Sequence, residues 1–208
     1  MVTEARARLV LLAGPSGSGK SRLVNAVRCP RVNLDDFYRD EADPANPRTT
    51  TTVGADEAPA VDWDDVGSWD ADAALAALVA LCETGTAEVP TYDISASRRT
   101  GTRTVDLDGA RTFVAEGLFA PDLVPAARAV GLEMDAIYLD RPRLQTLLFR
   151  FVRDVSEHRK PLPVLLRRGL ALFRAEPALR AHALACGCRP VSMAEALGVV
   201  RGTQVSSA

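Results

Sequence analysis

No stretch of the chain approaches the roughly 20 consecutive apolar residues that a membrane-spanning helix needs, so nothing in the sequence points to a membrane or to a membrane partner. Arg6 and Arg8 precede an apolar run, as in a secretory leader. That run is too short, however, and it leads directly into a glycine-rich loop, which reads as the first strand of a cytoplasmic protein. Cysteine is scarce: Cys29, Cys82, Cys186 and Cys188 make no disulfide framework. His182, Cys186 and Cys188 lie close together, but Cys-x-Cys is not the usual zinc spacing and a fourth ligand is missing, so they read as small buried thiols at a helix end. Charge of either sign is not in excess: the net charge is −2, and no global field draws the chain to nucleic acid. Lysine is nearly absent, since only Lys20 and Lys160 among the 25 basic residues are lysines. A compact ammonium and a planar guanidinium are not interchangeable, so a lysine in so arginine-biased a chain marks a specific demand.

What is present bounds the fold. With 208 residues, 47% of them hydrophobic, the chain can build one α/β domain with a substantial core and a small lid, and is not mainly disordered. Its charge is uneven. Twelve acids between Asp35 and Asp72 face only Arg39 and Arg48, whereas from Arg141 to Arg189 bases outnumber acids by about four to one. These segments read equally as two solvated faces, or as a carboxylate-rich acceptor side opposite a basic segment that clamps phosphate.

The chain is organised around Gly14-Pro15-Ser16-Gly17-Ser18-Gly19-Lys20-Ser21, which is the G-x-x-x-x-G-K-[ST] phosphate-binding loop. The apolar run Arg8–Ala13 before it reads as a buried strand, and Arg22–Val27 after it as the first turns of a helix. Gly14, Gly17 and Gly19 allow backbone conformations closed to other residues. The amides of the loop, from Gly14 through Ser16, Gly17, Ser18 and Gly19 to Lys20, Ser21 and Arg22, then form an anion nest at a helix N-terminus. Lys20 can reach the outer phosphates, and the Ser21 hydroxyl can join the shell of a Mg²⁺ ion.

Further along, Arg31–Leu34 reads as a second strand ending in Asp35-Asp36-Phe37-Tyr38. Ligands of open α/β sheets bind off the carboxyl ends of the strands, so one of these carboxylates can take a proton from a substrate hydroxyl; a helix cap or solvated turn is the alternative. Residues 40–61 form a long proline-bearing loop, followed by Trp63 and Trp69 and by an amphipathic helix carrying Leu75, Leu78, Val79 and Cys82 and ended by Gly85. Val89–Ile94 is extended, with Arg98–Arg103 as a hairpin turn leading to a strand at Thr104–Leu107. Arg111–Ala115 reads as a core strand ending in Glu116-Gly117, where a metal-directed carboxylate sits in phosphoryl-transfer enzymes. A helix at Asp122–Val130 and a strand at Met134–Leu139 follow. Arg141–His158 reads as a long helix with Arg150, Arg153 and Asp154 on one face, either a salt-bridged surface or a phosphoryl-stabilising arginine pair, and Pro161 and Pro163 break it. The remainder is helical in composition, Ser192–Glu195 has capping-box spacing, and the tail from Gln204 is expected to fray.

The phosphate loop, Asp35-Asp36-Phe37-Tyr38, Trp63–Asp70, Pro90-Thr91-Tyr92-Asp93, Glu116-Gly117 and Arg150-x-x-Arg153-Asp154, in that order, resemble the uridine kinase family and the wider uridine kinase, phosphoribulokinase and pantothenate kinase group. The resemblance runs from about residue 8 to residue 160. It implies an α/β P-loop kinase fold, a parallel sheet flanked by helices with a small β-excursion and a helical lid. The chain length is that of one domain over residues 1–208, with an acceptor-side loop at about 40–69 and a lid-like basic helical segment at about 150–176. The resemblance also implies transfer of a γ-phosphoryl group from ATP, with Mg²⁺, to a hydroxyl of a small molecule such as uridine or cytidine. Asp35 would be the general base beside Lys20, Ser21 and Glu116 would hold the metal, and Tyr92 would sit by the nucleobase. Arg150 and Arg153 would act on phosphate and acceptor, with Asp36, Tyr38 and Asp65 on the acceptor side. A homo-oligomer is compatible with this reading. The chain departs from the family where the ribose-holding Asp aligns with Gly67 and the base-reading His with Ser97, and His158 and Lys160 stand where arginines are common. Two alternatives therefore stand: the same chemistry on a pantothenate- or sugar-phosphate-like alcohol, and a non-catalytic nucleotide-binding regulator.

Overall fold

The computed structural model describes residues 7–49, 59–147, 149 and 162–202, with side chains resolved from 173 onward in the last segment. Five strands form one parallel sheet: β1 (Arg8–Ala13), β2 (Arg31–Asn33), β5 (Thr112–Glu116), β6 (Met134–Leu139) and β7 (Arg189–Val191), in the order β2-β5-β1-β6-β7. The register sets Leu12 of β1 opposite Glu116 of β5 and Ile137 of β6. β1 is buried along nearly its whole length because both of its faces are covered, as expected for a central parallel strand. Leu9, Leu11 and Ala13 pack under helices α2 (Ala71–Thr84) and α3 (Leu123–Ala129), whereas Val10 and Leu12 pack under α1 (Lys20–Val27) and α5 (Met193–Val200). This two-sided burial fixes the strand and carries the phosphate loop out at its carboxyl end.

The long helix α4 (Leu162–Ala185) runs back toward the sheet, and Arg180 forks onto Asp140 Oδ2 with Nε at 3.0 Å and Nη2 at 2.9 Å, holding α4 against the end of β6. The break expected after His158 lies outside the described residues, and Pro163 stands at the start of the next helix. It occupies the second position of α4, where a missing N–H costs nothing. Of the expected helix from Arg141 to His158, residues 143–147 are helical, and most of the rest lies outside the described residues. The tail from Gln204 also lies outside them.

The β-excursion is present, but its turn is not where the basic run suggested. β3 (Thr86–Asp93) pairs antiparallel with β4 (Arg98–Asp106), so Arg98–Arg103 is strand and the turn is Ile94–Ser97. Asp93 makes this turn: its Oδ1 accepts from the amides of Ser95 at 2.8 Å and Ala96 at 3.3 Å. Short polar side chains that bond the backbone two residues on specify such turns, and the alternating Arg/Thr run that follows is a solvated strand. At the far end the capping box is formed as expected, with the Ser192 amide donating to Glu195 Oε2 at 2.6 Å and the Glu195 amide to Ser192 Oγ at 3.3 Å. Ser192→Ala is expected to cost about 1 kcal/mol of stability, read as a lower urea midpoint with unchanged slope.

Candidate active site

The phosphate loop leaves β1 at Gly14, whose φ of 147° and close surroundings exclude a side chain: a Cβ there would lie 3.0 Å from Ser18 Oγ and 3.3 Å from Leu139. Gly17 and Gly19 have φ of 86° and 95°, left-handed values that turn the loop amides inward ahead of α1. Lys20 curls over the loop, with Nζ donating to the carbonyls of Gly14 at 2.8 Å and Pro15 at 3.4 Å. Ser18 is fully buried, and its hydroxyl has no hydrogen-bond partner among the described residues. A buried hydroxyl without a partner is costly unless a ligand satisfies it, so the interior of the loop fits an anion. Ser16 and Arg22 lie exposed on the rim. Arg141, just past β6, brings its guanidinium to 4.0 Å from where a Cβ on Gly19 would stand, placing a further cation against the loop.

Glu116 ends β5 beside this loop and is buried. The Ser21 hydroxyl donates to its Oε1 at 3.0 Å, and Arg31 Nη1 approaches the same oxygen at 3.3 Å. Ser21 and Glu116, 95 residues apart in sequence, are thus brought together by the parallel pairing of β1 with β5. Their oxygens make a donor set suited to Mg²⁺, a hard cation that prefers oxygen ligands.

Leu34 is not part of β2: the strand ends at Asn33, and Leu34–Phe37 form a 3₁₀ turn because the Asn33 side chain accepts from the Asp35 amide at 3.3 Å and caps it. Asp35 lies within the field of Lys20 and Glu116, and its Oδ1 accepts from the Leu118 amide at 3.0 Å. Burial pushes the Asp35 carboxyl up from its ordinary range; the Leu118 amide and Lys20 pull it down, and Glu116 and Asp36 push it up again, with a net rise. Gly117 makes this approach possible, since a Cβ there would lie 2.7 Å from Leu34 Cβ and 2.9 Å from Asp35 Oδ1. Asp36 points elsewhere, tied to Asn33 Nδ2 at 2.9 Å and to Arg103 Nη2 of β4 at 3.4 Å.

An aromatic group adjoins the turn. Tyr38 meets the rings of Trp63, Phe119 and Tyr92 at centroid distances of 5.7, 5.8 and 5.9 Å, and Trp69 donates its indole N–H to the Leu34 carbonyl at 2.7 Å. Tyr92 is partly exposed, and its hydroxyl donates to the Arg39 carbonyl at 3.2 Å. Asp65 is exposed and caps its own short turn by accepting from the Gly67 amide at 2.8 Å, so it is not drawn toward Asp35. Arg150 and Arg153 lie outside the described residues.

Arg99 of β4 is a residue that motif reading missed. Its guanidinium donates to the carbonyls of Tyr38 at 3.1 Å and Phe37 at 3.2 Å and to Asp70 Oδ2 at 3.1 Å, bolting the hairpin to the Asp35 turn. The sequence carried one signal for it, an arginine within a strand-like alternating run. Burial raises the Asp70 carboxyl, but the Ala73 amide and Arg99 outweigh it and hold Asp70 below its usual range. Arg99→Ala is expected to cost about 1–2 kcal/mol, discounted because the side chain is partly exposed. A depressed carboxyl contributes stability above the unfolded-state pKa and loses it as pH falls, so the cost should shrink in acid. Urea melts at two pH values measure both.

No model of a known protein family matches the chain. Among curated proteins it is 25% identical over 170 residues to a uridine kinase of Limosilactobacillus reuteri, covering 78% of this chain and 72% of that protein. It is 24% identical over 160 residues to a uridine kinase of Ureaplasma urealyticum, covering 73% and 71%. A match of 33% over 116 residues to the inorganic pyrophosphatase TTM2 of Arabidopsis thaliana covers 54% of this chain but only 15% of that protein. Among solved structures, a candidate fructose transport system kinase from Silicibacter sp. TM1040 superposes with a TM-score of 0.56 at 18% identity, covering 85% of each chain, which shows the shared fold. The chain is thus similar in sequence to uridine kinases, and its parallel sheet flanked by helices is the fold of a P-loop kinase.

Proposed function

We propose that the chain transfers the γ-phosphoryl group of ATP to a hydroxyl of a small molecule, a pyrimidine nucleoside first among the acceptors. The observation that carries this reading is Asp35, held by the Leu118 amide at the sheet edge within the field of the phosphate-loop Lys20. Lys20 and the loop amides bind the phosphates, with the Ser18 hydroxyl as a further donor inside the loop. Ser21 and Glu116 would hold Mg²⁺, which when bound neutralises charge on the phosphates. Oδ1 of Asp35 is committed to Leu118, so Oδ2 receives the proton as the acceptor oxygen bonds to phosphorus and the bond to the ADP oxygen breaks. Arg150 and Arg153 are proposed to meet the transferred group from the basic segment at about 150–176, within one kinase domain spanning residues 1–208. Tyr38, Tyr92 and Trp63 offer stacking faces to a planar acceptor. Asp36 is assigned the support of the turn, through Asn33 and Arg103.

The base must be ionised to act. Because the Asp35 carboxyl is raised, turnover per acceptor encounter is expected to fall on the acid side at a pH above the ordinary carboxylate range. A pH profile of kcat/KM measures this, and a flat profile down to that range would remove Asp35 as the base.

A second acceptor class is favoured by two positions. Gly67 offers no side chain, and Ser97 sits in a left-handed turn at φ 49°, its carbonyl accepting from the Glu41 amide at 2.9 Å. Neither supplies the hydrogen bonds that the family uses to read ribose and base, and a site lacking such partners discriminates weakly. ADP release with ATP and Mg²⁺ across nucleosides, pantothenate and sugar phosphates decides. Selective turnover with uridine or cytidine supports the nucleoside reading, and turnover only with another alcohol replaces the substrate. ATP binding without transfer to any acceptor defeats the kinase reading in favour of a nucleotide-binding regulator.

A further inference from the structure

We propose that Asp122, His182 and Cys186 form a binding site for one zinc ion where the start of α3 meets the C-terminal end of α4. The three residues come from different places in the chain. Asp122 closes the 3₁₀ turn that enters α3, and His182 and Cys186 lie one helical turn apart on α4 and just past its end. One donor atom of each, a carboxylate oxygen, an imidazole nitrogen and a sulfur, lies within 4.8 Å of the other two. His182 Nε2 is 3.6 Å from Cys186 Sγ and 2.8 Å from Asp122 Oδ1.

The spacing fits the metal. With usual bond lengths, nitrogen and sulfur on a tetrahedral zinc stand about 3.6 Å apart and nitrogen and oxygen about 3.4 Å apart. The nitrogen–sulfur pair already has that separation, and the nitrogen–oxygen pair needs to open by about 0.6 Å from a hydrogen bond to admit the ion. Mixed N, S and O donors suit zinc rather than the oxygen-loving cation expected at Ser21 and Glu116. His182 is exposed, so water can complete the tetrahedron.

The frame around the donors is fixed. Gly187 turns the chain at φ 95°, in the left-handed region that favours glycine, and lies against the Arg128 guanidinium. Arg128 Nη2 donates to the Gly187 carbonyl at 3.0 Å, and the Cys186 and Cys188 amides return to the His182 and Ala183 carbonyls at 2.9 Å. Cys188 is buried and is not among the clustered donors, so Cys186 supplies the sulfur. The Cys-x-Cys spacing alone hides this arrangement, because the third donor is Asp122, 60 residues before the histidine.

The test uses the full chain stripped of metal by a chelator and titrated with Zn²⁺ against a chromophoric competitor, in excess Mg²⁺. One equivalent should bind, and Co²⁺ in its place should show thiolate-to-metal charge transfer. Cys186→Ser and His182→Ala should each weaken binding by about tenfold or more, and Cys186→Ser should abolish the charge-transfer band. Cys29→Ser, remote from the cluster, should leave both unchanged. If His182→Ala does not fold, His182→Gln gives the same reading. Absence of competition with the chromophore, or equal affinity in the Cys186 and His182 variants, would overturn the site and leave an Asp122–His182 hydrogen bond.

Discussion

Asp35→Asn should lower turnover by about 10²- to 10⁴-fold, the usual contribution of a positioned general base, while ATP affinity changes little. The asparagine oxygen can still accept from the Leu118 amide, so the turn Leu34–Phe37 keeps its shape, and the phosphate loop belongs to another strand. The same variant should be more stable than the parent at neutral pH. Burial raises the Asp35 carboxyl in the folded state, so between the ordinary pKa and the raised one the folded chain holds more protons than the unfolded chain. Stability then falls as pH rises through that window, and an amide escapes this loss. The gain should vanish below about pH 4, where the unfolded carboxyl is protonated as well. Single-turnover kinetics, ATP calorimetry and melts at two pH values separate the three effects. Unchanged turnover would remove Asp35 from the chemistry.

Gly117→Ala should damage the site from behind. The glycine is not in a left-handed conformation, so the cause is space alone. The new Cβ would fall 2.7 Å from Cβ of the fully buried Leu34 and 2.9 Å from Asp35 Oδ1. Neither neighbour is the free end of a flexible chain, so β5 and the Asp35 turn must separate. Overpacking of this kind costs about 1–3 kcal/mol. Moving a reacting group by about 1 Å costs about 10²-fold in rate. The expected result is a lower urea midpoint and a reduced kcat with ATP affinity retained. Full activity at unchanged stability would show that the close packing of Gly117 on Asp35 does not matter.

The phosphate loop was legible because its chemistry is local: strand, glycines, lysine and serine occupy one continuous stretch, and the structure forms them as read. Asp35 was legible as the end of a strand, although the 3₁₀ turn that aims it depends on the Asn33 cap. Glu116 was likewise read from its position at the end of a core strand, and the pairing of β1 with β5 brings it to Ser21. What the sequence hid is what tertiary packing creates. Arg99 looked like part of a basic turn because its partners, the carbonyls of Phe37 and Tyr38, are about 60 residues away and carry no side-chain signature. Asp65 looked like an acceptor-side carboxylate, but it spends its oxygen on its own turn. Asp122 could not be joined to His182 and Cys186 until α3 and α4 were packed.

Phosphoryl transfer to a hydroxyl is read out by phosphorus NMR of the chain with ATP, Mg²⁺ and, in turn, uridine, cytidine, pantothenate and sugar phosphates. With one of these acceptors a new phosphomonoester signal should grow in step with ADP and be absent with Asp35→Asn. ADP accompanied only by inorganic phosphate, or no consumption of ATP with any of them by a chain that binds it, would rule out a kinase.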